Sequence, residues 1–314
     1  MCLAPLAAPL VAHAQRQRLY RIGVVFLGGS YALAINGLRD GLKELGLEEG
    51  RHVVLHVREP KGDASSVETA ARALEAEKVD LIYTITSAVT AAAKRATTSV
   101  PIVFYGGNDP VSMGFVDSFR KPGGRLTGIY SRFTDLTAKR FQLLKEMVPE
   151  LRRIAAFYRP ESPATAVAIK AIREAARDLQ LSLLERQFTS VDELRNGLLA
   201  LRAGEVQAFY SVDAVVISQA QLVVDIANEK RLATIFSDRD TAAKGALATY
   251  GTSYYAVGRL AAGKVARILK GANPGDLPVE QLDRLYLVIN LKTARALGLA
   301  IPQSLLARAD EVIQ

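Results

Sequence analysis

Residues 21–46 read R-I-G-V-V-F-L-G-G-S-Y-A-L-A-I-N-G-L-R-D-G-L-K-E-L-G. Arg21 to Phe26 is a short apolar run without polar alternation, the pattern of a strand covered on both faces. Leu27-Gly28-Gly29-Ser30 breaks it, a helical pattern runs on to Leu45, and Gly46 is a helix-stop residue. Strand, turn and helix in that order form the first unit of an α/β protein. The unit repeats downstream: strand His52–Val57; a helix opened by the capping box Ser65-x-x-Glu68; strand Val79–Thr84; helix Ser87–Ala96; strand Val100–Tyr105. Such alternation predicts a parallel sheet with helices on both faces.

After a turn-rich joint, Pro122-Gly123-Gly124 to Thr134, the pattern restarts. Leu136–Val148 reads as helix and Arg153–Tyr158 as strand. Ser162-Pro163 is a cap followed by proline at the first helical position. Strand Ser182–Phe188, a second capping box Ser190-x-x-Glu193, strand Val206–Tyr210, helix Asp213–Lys230 and strands Ala233–Phe236 and Ala246–Tyr250 follow. Tyr255–Lys270 is amphipathic, with Val257, Leu260, Ala261, Val265, Ile268 and Leu269 on one face, and Gly271 stops it. Leu285–Ile289 is the last strand. Two α/β units of similar layout are expected.

Length and composition agree. A chain of 314 residues that is 49% hydrophobic and 23% charged is ordinary for a globular protein of two domains. No apolar run reaches the roughly 18–20 residues of a membrane span. The excess of 40 Lys and Arg over 32 Asp and Glu gives +8, spread along the chain. It reads as a surface property, with no nucleic acid expected as partner. At the N-terminus, Leu3–Val11 is a short apolar run followed by Ala12-His13-Ala14, an A-x-A cleavage pattern. Residues 1–14 are expected to be a signal peptide and the mature protein to be periplasmic. The single cysteine, Cys2, falls in that segment, so no disulfide framework follows.

In open parallel sheets, ligands bind beyond the carboxyl ends of the strands, where helix N-termini offer unpaired N–H groups. Those positions here carry Gly29, Ser30 and Tyr31 after the first strand; Thr86 and Ser87 after the third; and Tyr105, Gly106 and Asn108 after the fourth. In the second unit they carry Tyr158, Ser162, Asp213 and Asp238. Hydroxyls, amides and a few charges suit a small polar ligand. Ser87, Ser162 and Asp213 read equally as helix caps. Gly28-Gly29 is not G-x-G-x-x-G, and no phosphate-loop pattern occurs. His52 and His56 share a strand face but have no third metal ligand nearby, so no metal is expected. There is no G-x-S-x-G, H-E-x-x-H or cysteine nucleophile, so catalytic residues and cofactors are expected to be absent.

Two stretches carry a family resemblance. One is Asp109-Pro110, Val116 and Pro122-Gly123-Gly124-x-Leu126-Thr127-Gly128, followed by Leu144-x-x-Met147-Val148-Pro149. The other starts at Tyr250-Gly251 and passes through Ile268-Leu269-Lys270-Gly271, Asp276-Leu277-Pro278-Val279-Glu280, Leu287-Val288-Ile289-Asn290-Leu291-Lys292-Thr293-Ala294 and Ile301-Pro302-x-Ser304-Leu305-Leu306 to Ile313. These resemble the ABC transporter substrate-binding proteins of the tryptophan/tyrosine type. The resemblance implies a type I periplasmic-binding-protein fold, two Rossmann-like lobes with parallel sheets joined by a three-strand hinge. It implies interleaved lobes: residues 15–129 with 251–275, and 130–250 with 276–314. It further implies a monomer that captures a small molecule, such as an aromatic or branched amino acid, and delivers it to the transmembrane subunits of an ABC permease. The membrane would be met only through that permease. On this reading Ser87 and Gly106 meet a carboxylate, Asp213 an ammonium, and Tyr31, Tyr105 and Tyr158 stack on an apolar part. The alternatives are a Rossmann-type enzyme and a ligand-sensing protein on the same fold.

Overall fold

The computed structural model describes residues 18–60 and 64–314. The expected signal peptide lies outside the described residues. The chain runs β1 (Tyr20–Val25), α1 (Ala32–Glu44), β2 (Val53–Arg58), α2 (Ala64–Ala76), β3 (Leu81–Ile85), α3 (Ser87–Ala96), β4 (Ile102–Gly106) and β5 (Leu126–Tyr130). It continues through α4 (Thr137–Met147), β6 (Arg153–Tyr158), α5 (Pro163–Asp178), β7 (Ser182–Gln187), α6 (Val191–Leu199), β8 (Ala208–Tyr210), α7 (Ala214–Ser218), α8 (Ala220–Glu229), β9 (Ala233–Asp238) and β10 (Ala248–Thr252). The last stretch is α9 (Tyr254–Leu269), β11 (Glu280–Gln281), β12 (Tyr286–Asn290), α10 (Leu291–Leu297), α11 (Gln303–Leu306) and β13 (Glu311–Ile313).

These strands build two sheets, ordered β11-β5-β4-β3-β1-β2 and β13-β12-β10-β9-β8-β6-β7. Every residue of β3, β4 and β5 is buried, which is why these segments are apolar without alternation. Pairing is parallel, as in Ile22 with Leu55 and with Leu81. The exception is β10 with β12, an antiparallel pair in the second sheet. The chain crosses between sheets three times, after β5, after β10 and after β11.

α9 follows the second lobe in sequence but packs on α1 of the first. Glycines make this possible. A Cβ on Gly37 would lie 2.0 Å from the Tyr255 carbonyl oxygen, and one on Gly258 would lie 2.0 Å from that of Ala34. The helix backbones therefore touch directly. Lys264 Nζ donates to the Pro278 carbonyl and pairs with Glu280 at 2.9 Å. Thr127 Oγ1 donates to the Leu277 carbonyl at 2.6 Å, and β11 pairs with β5 at Ile129 and Tyr130. Residues 276–281 thus belong to the first lobe, and the boundary expected at 275/276 moves to the segment between β11 and β12.

Other local readings shift as well. Ser65 lies inside α2, not at its cap, and Glu68 pairs with Arg95 at 3.0 Å. Ser190 does cap α6, accepting from Glu193 N at 3.1 Å, while the Glu193 carboxylate accepts from Thr189 N at 2.7 Å. The helix expected over 213–230 breaks at Gln219 into α7 and α8. His52 Nδ1 accepts from Glu48 N, and His56 sits between Arg21 and Glu77. Among the described residues no group of three or more His, Cys, Asp and Glu could hold a metal.

The α1–α9 contact makes a paired prediction. Gly258→Ala should cost about 1–3 kcal/mol in urea unfolding, because its methyl meets backbone. Gly263→Ala, in the same helix but with nothing within 4 Å of the new methyl, should instead stabilise by about 0.5–1 kcal/mol. Equal effects at the two positions would refute the backbone contact.

Candidate functional site

The carboxyl ends of both sheets face one cavity of about 40 Å³ between the lobes. From the first lobe come Tyr31, which follows β1, then Thr86, Ser87 and Ala88, which follow β3, and Tyr105, Gly107 and Asn108, at and beyond the end of β4. Phe133 and Thr134 come from the first crossover. Ser162, Ala164, Thr165, Ala168, Val212, Ala214 and Ile217 close it from the second lobe.

Two helices point their N-termini at this cavity from opposite lobes. α3 is capped by Thr86, whose Oγ1 accepts from Val89 N at 3.2 Å. Thr86 has φ 98°, in a region that a β-branched residue occupies only under strain. Ser87 Oγ accepts from Gly107 N and Asn108 N, each at 3.2 Å, and its own hydrogen has no acceptor among the described residues. α5 is capped by Ser162, with Pro163 pre-set for the first turn. Asn108 Nδ2 spans the cleft, donating to Thr134 Oγ1 and to the Ala164 carbonyl, each at 3.3 Å.

The floor is aromatic. Tyr105 stands edge-on to Phe133 and to Tyr254, and Tyr31 tilts against Tyr254 with ring centroids 4.8 Å apart. Burial pushes the hydroxyls of Tyr31, Tyr105 and Tyr254 up, so they stay neutral. Tyr105 Oη shares hydrogen bonds with Ser131 Oγ, on the first crossover, and with Thr252 Oγ1, the last residue of β10, where the second crossover begins. Beneath it lies Arg140, fully buried, donating to the carbonyls of Phe133 and Tyr250 and to Tyr210 Oη.

Six residues read from the sequence line the cavity: Tyr31, Thr86, Ser87, Tyr105, Asn108 and Ser162. Gly106 backs the wall, where a Cβ would sit 2.9 Å from Ser87 Oγ. Gly29, at φ 60°, is an interlobe contact: a Cβ there would lie 2.1 Å from the Ser218 carbonyl oxygen. Neighbouring Ser30 is buried, and its Oγ has no partner among the described residues.

Three expectations need correction. Asp213 does not line the cavity. Its carboxylate accepts from Arg159 N and Nε, Thr165 Oγ1 and Val215 N, and is fully buried, so an ammonium finds no open oxygen. Tyr158 turns away and donates to Glu185 at 3.0 Å, so it stacks on nothing in the cleft. Asp238 is buried behind the tyrosines, accepting from Thr241 N and Oγ1. Desolvation raises its pKa from 3.8 to about 6, and its charge is felt at Tyr31, Tyr105 and Tyr254.

Sequence reasoning missed Phe133, Val212, Ala214 and Ile217. Val212 and Ala214 flank the Asp213 cap: the capping side chain turns inward, and its neighbours face the cleft. Gly107 is bare because a Cβ would lie 2.5 Å from the Phe133 ring.

The family described as ABC transporter substrate binding protein matches residues 22–313. The chain is 27% identical over 267 residues to the tyrosine-binding protein of Clostridioides difficile (strain R20291), covering 85% of this chain and 76% of that protein. It superposes with a TM-score of 0.85 on the ABC domain in complex with L-Trp from Streptococcus pneumonia, at 26% identity over 94% of this chain and 100% of that one. The ligand-free, open structure of a substrate-binding protein with adhesive properties from Clostridium difficile scores 0.62, at 25% identity over 94% and 99%.

Asp213→Ala should cost about 3–5 kcal/mol in chemical unfolding of the ligand-free protein, since it removes the buried carboxylate on which Arg159, Thr165 Oγ1 and Val215 N converge. An unfolding curve like the parent's would show that the pair is dispensable. For Asp238 the folded pKa is raised, so the folded state holds the extra proton between 3.8 and about 6. Stability therefore falls as pH rises through that window and stays reduced at pH 7, by an amount on the order of 3 kcal/mol. Asp238→Asn should raise the melting temperature at pH 7 and flatten its pH slope; an unchanged slope argues against a strained carboxylate.

Proposed function

Since this chain belongs to the ABC transporter substrate-binding protein family, a family of binding proteins and not of enzymes, we propose that it captures an amino acid between its lobes and delivers it to an ABC permease from the periplasm, as a monomer. The observation that carries the reading is the pair of helix N-termini, α3 and α5, facing one cavity from opposite lobes. α3 offers the N–H groups of Ser87 and Ala88, and α5, which opens with Pro163 and gives the Thr165 N–H to its Ser162 cap, offers that of Ala164; each end carries about half a positive charge. Brought together without an anion, they oppose each other. A carboxylate placed between them satisfies both and draws the lobes shut. Ser87, Asn108 and Ser162 add hydroxyl and amide groups to its surroundings.

The ammonium needs a different partner from Asp213, which is committed to Arg159. The aromatic faces of Tyr31, Tyr105 and Phe133 suit a cation, and Asp238 supplies negative charge from behind them. A zwitterion is thus favoured at both ends. The relatives described as tyrosine-binding and as an L-Trp complex support an aromatic ligand. Closure then follows the hinge mode, with the three crossovers taking up the rotation.

Isothermal titration with L-tryptophan, L-tyrosine and L-leucine should find a ligand for the purified mature protein, with a smaller radius of gyration in solution scattering when bound. Tryptophan amide, which lacks the carboxylate, should bind at least tenfold more weakly than tryptophan, about 1.4 kcal/mol. Equal binding of acid and amide would defeat the helix N-terminus assignment.

A further inference from the structure

The two lobes touch at the rim of the cavity, backbone against backbone. On the first lobe the turn Gly29–Tyr31 follows β1; on the second, α7 ends at Ser218. The hydrogen that Gly29 carries in place of a side chain points at the Ser218 carbonyl. A Cβ there would lie 2.1 Å from the carbonyl oxygen and 2.9 Å from the carbonyl carbon. Ordinary contacts run from 3.4 to 4 Å, so any side chain at this position holds the rim more than an ångström further open. The arrangement is that of a weak Cα–H···O contact, made by the hydrogen that glycine alone carries.

The Ser218 carbonyl is free to face the other lobe because the helix is interrupted. In an unbroken helix it would accept from the N–H of Leu222. The break at Gln219, between α7 and α8, takes that donor away, and no backbone N–H among the described residues donates to it. The Ser218 side chain turns back and donates to the Val215 carbonyl at 2.8 Å. Gly29 keeps a solvent-exposed face, while Ser30 and Tyr31 after it are buried.

The contact is joined to the cavity on both sides. Tyr31, two residues after Gly29, and Ile217, one residue before Ser218, both line it. Building on the capture reading above, we infer that Gly29 is a positioning residue for capture: its missing side chain lets the turn settle on α7, and this sets how closely the Tyr31 and Ile217 walls approach the ligand. Arrival between parted lobes does not involve the contact, so it acts on release. Neighbouring Gly28 provides the comparison. It shares the turn and has a positive φ of 81°, but a Cβ on it would meet Glu59 Oε1 at 2.3 Å, the far end of a flexible side chain of its own lobe.

The experiment compares the parent with Gly28→Ala, Gly29→Ala and Gly29→Asn, asparagine being a residue that takes positive φ readily despite its side chain. Each is given a ligand-free melting curve, a titration with L-tryptophan, a stopped-flow measurement of its release, and a radius of gyration at saturation. The chain has no tryptophan of its own, so the ligand's indole can be excited alone. Both Gly29 variants should bind at least tenfold more weakly, through faster release at an association rate within about threefold of the parent's, and should stay more expanded at saturation. Gly28→Ala should lower the melting temperature yet bind within about threefold of the parent. Affinity and release like the parent's in a folded Gly29 variant overturn the inference. So does an equal loss in Gly28→Ala, which assigns the effect to strain in the turn, or failure of both Gly29 variants to fold, which assigns the glycine to the fold. Each of these leaves the amino-acid reading intact. A parent protein that binds none of L-tryptophan, L-tyrosine and L-leucine removes both.

Discussion

Gly37 and Gly258 allow two helices from opposite ends of the chain to meet backbone to backbone. Much of the architecture follows from that contact. α9 comes after the second lobe is complete, yet its place is on α1, so the chain must cross back. Having returned, it is held by Lys264 on Pro278 and Glu280 and by the Thr127–Leu277 hydrogen bond. Those bonds carry residues 276–281 along the edge of the first sheet before the chain leaves again for β12. Two lobes joined by three crossovers are therefore the outcome of one helix finding its partner late.

The crossovers converge on a buried charge. Arg140 is fully enclosed and donates to Phe133 on the first crossover and to Tyr250 at the approach to the second. It donates to two carbonyls and a phenol, and to no carboxylate among the described residues. Carbonyl dipoles stand in for an anion, which suits a hinge: they can hold a guanidinium through a small rotation without the cost of breaking an ion pair in a dry interior. The cleft wall follows the opposite rule. There Asp213 and Arg159 neutralise each other and the helix caps supply the polarity, so the ligand meets dipoles and hydroxyls where the sequence suggested a free carboxylate.

The α/β alternation was legible because parallel strands covered on both faces are apolar runs, and Arg21–Phe26 or Arg153–Tyr158 can be read directly. Most cap residues were legible too: Ser162, Ser190 and Asp213 cap their helices, whereas α3 is capped by Thr86 and Ser87 is its first residue. Side-chain direction was harder. Asp213 and Tyr158 occupy the expected backbone positions, but hydrogen bonds to Arg159 and to Glu185 turn them from the cleft, and both partners are distant in sequence. Phe133 lay in a stretch that reads only as a turn, and its place under the cavity depends on Gly107 across the sheet. β11 could not be read from two residues, Glu280 and Gln281. It exists because the edge of β5 and Lys264 are there to receive it.

Tyr105 belongs at once to the cavity and to the pivot. Its ring lines the cavity, and its hydroxyl joins Ser131 on the first crossover to Thr252 at the end of β10, where the second begins. Whatever occupies the cavity therefore leans on the group that must turn for the lobes to part. Departure and opening run on one clock, whereas arrival is governed by the separated lobes, before this side chain is engaged. Residence time can then lengthen through changes around a single phenol without slowing capture, a division of labour that follows from one hydroxyl serving both the cavity wall and the pivot.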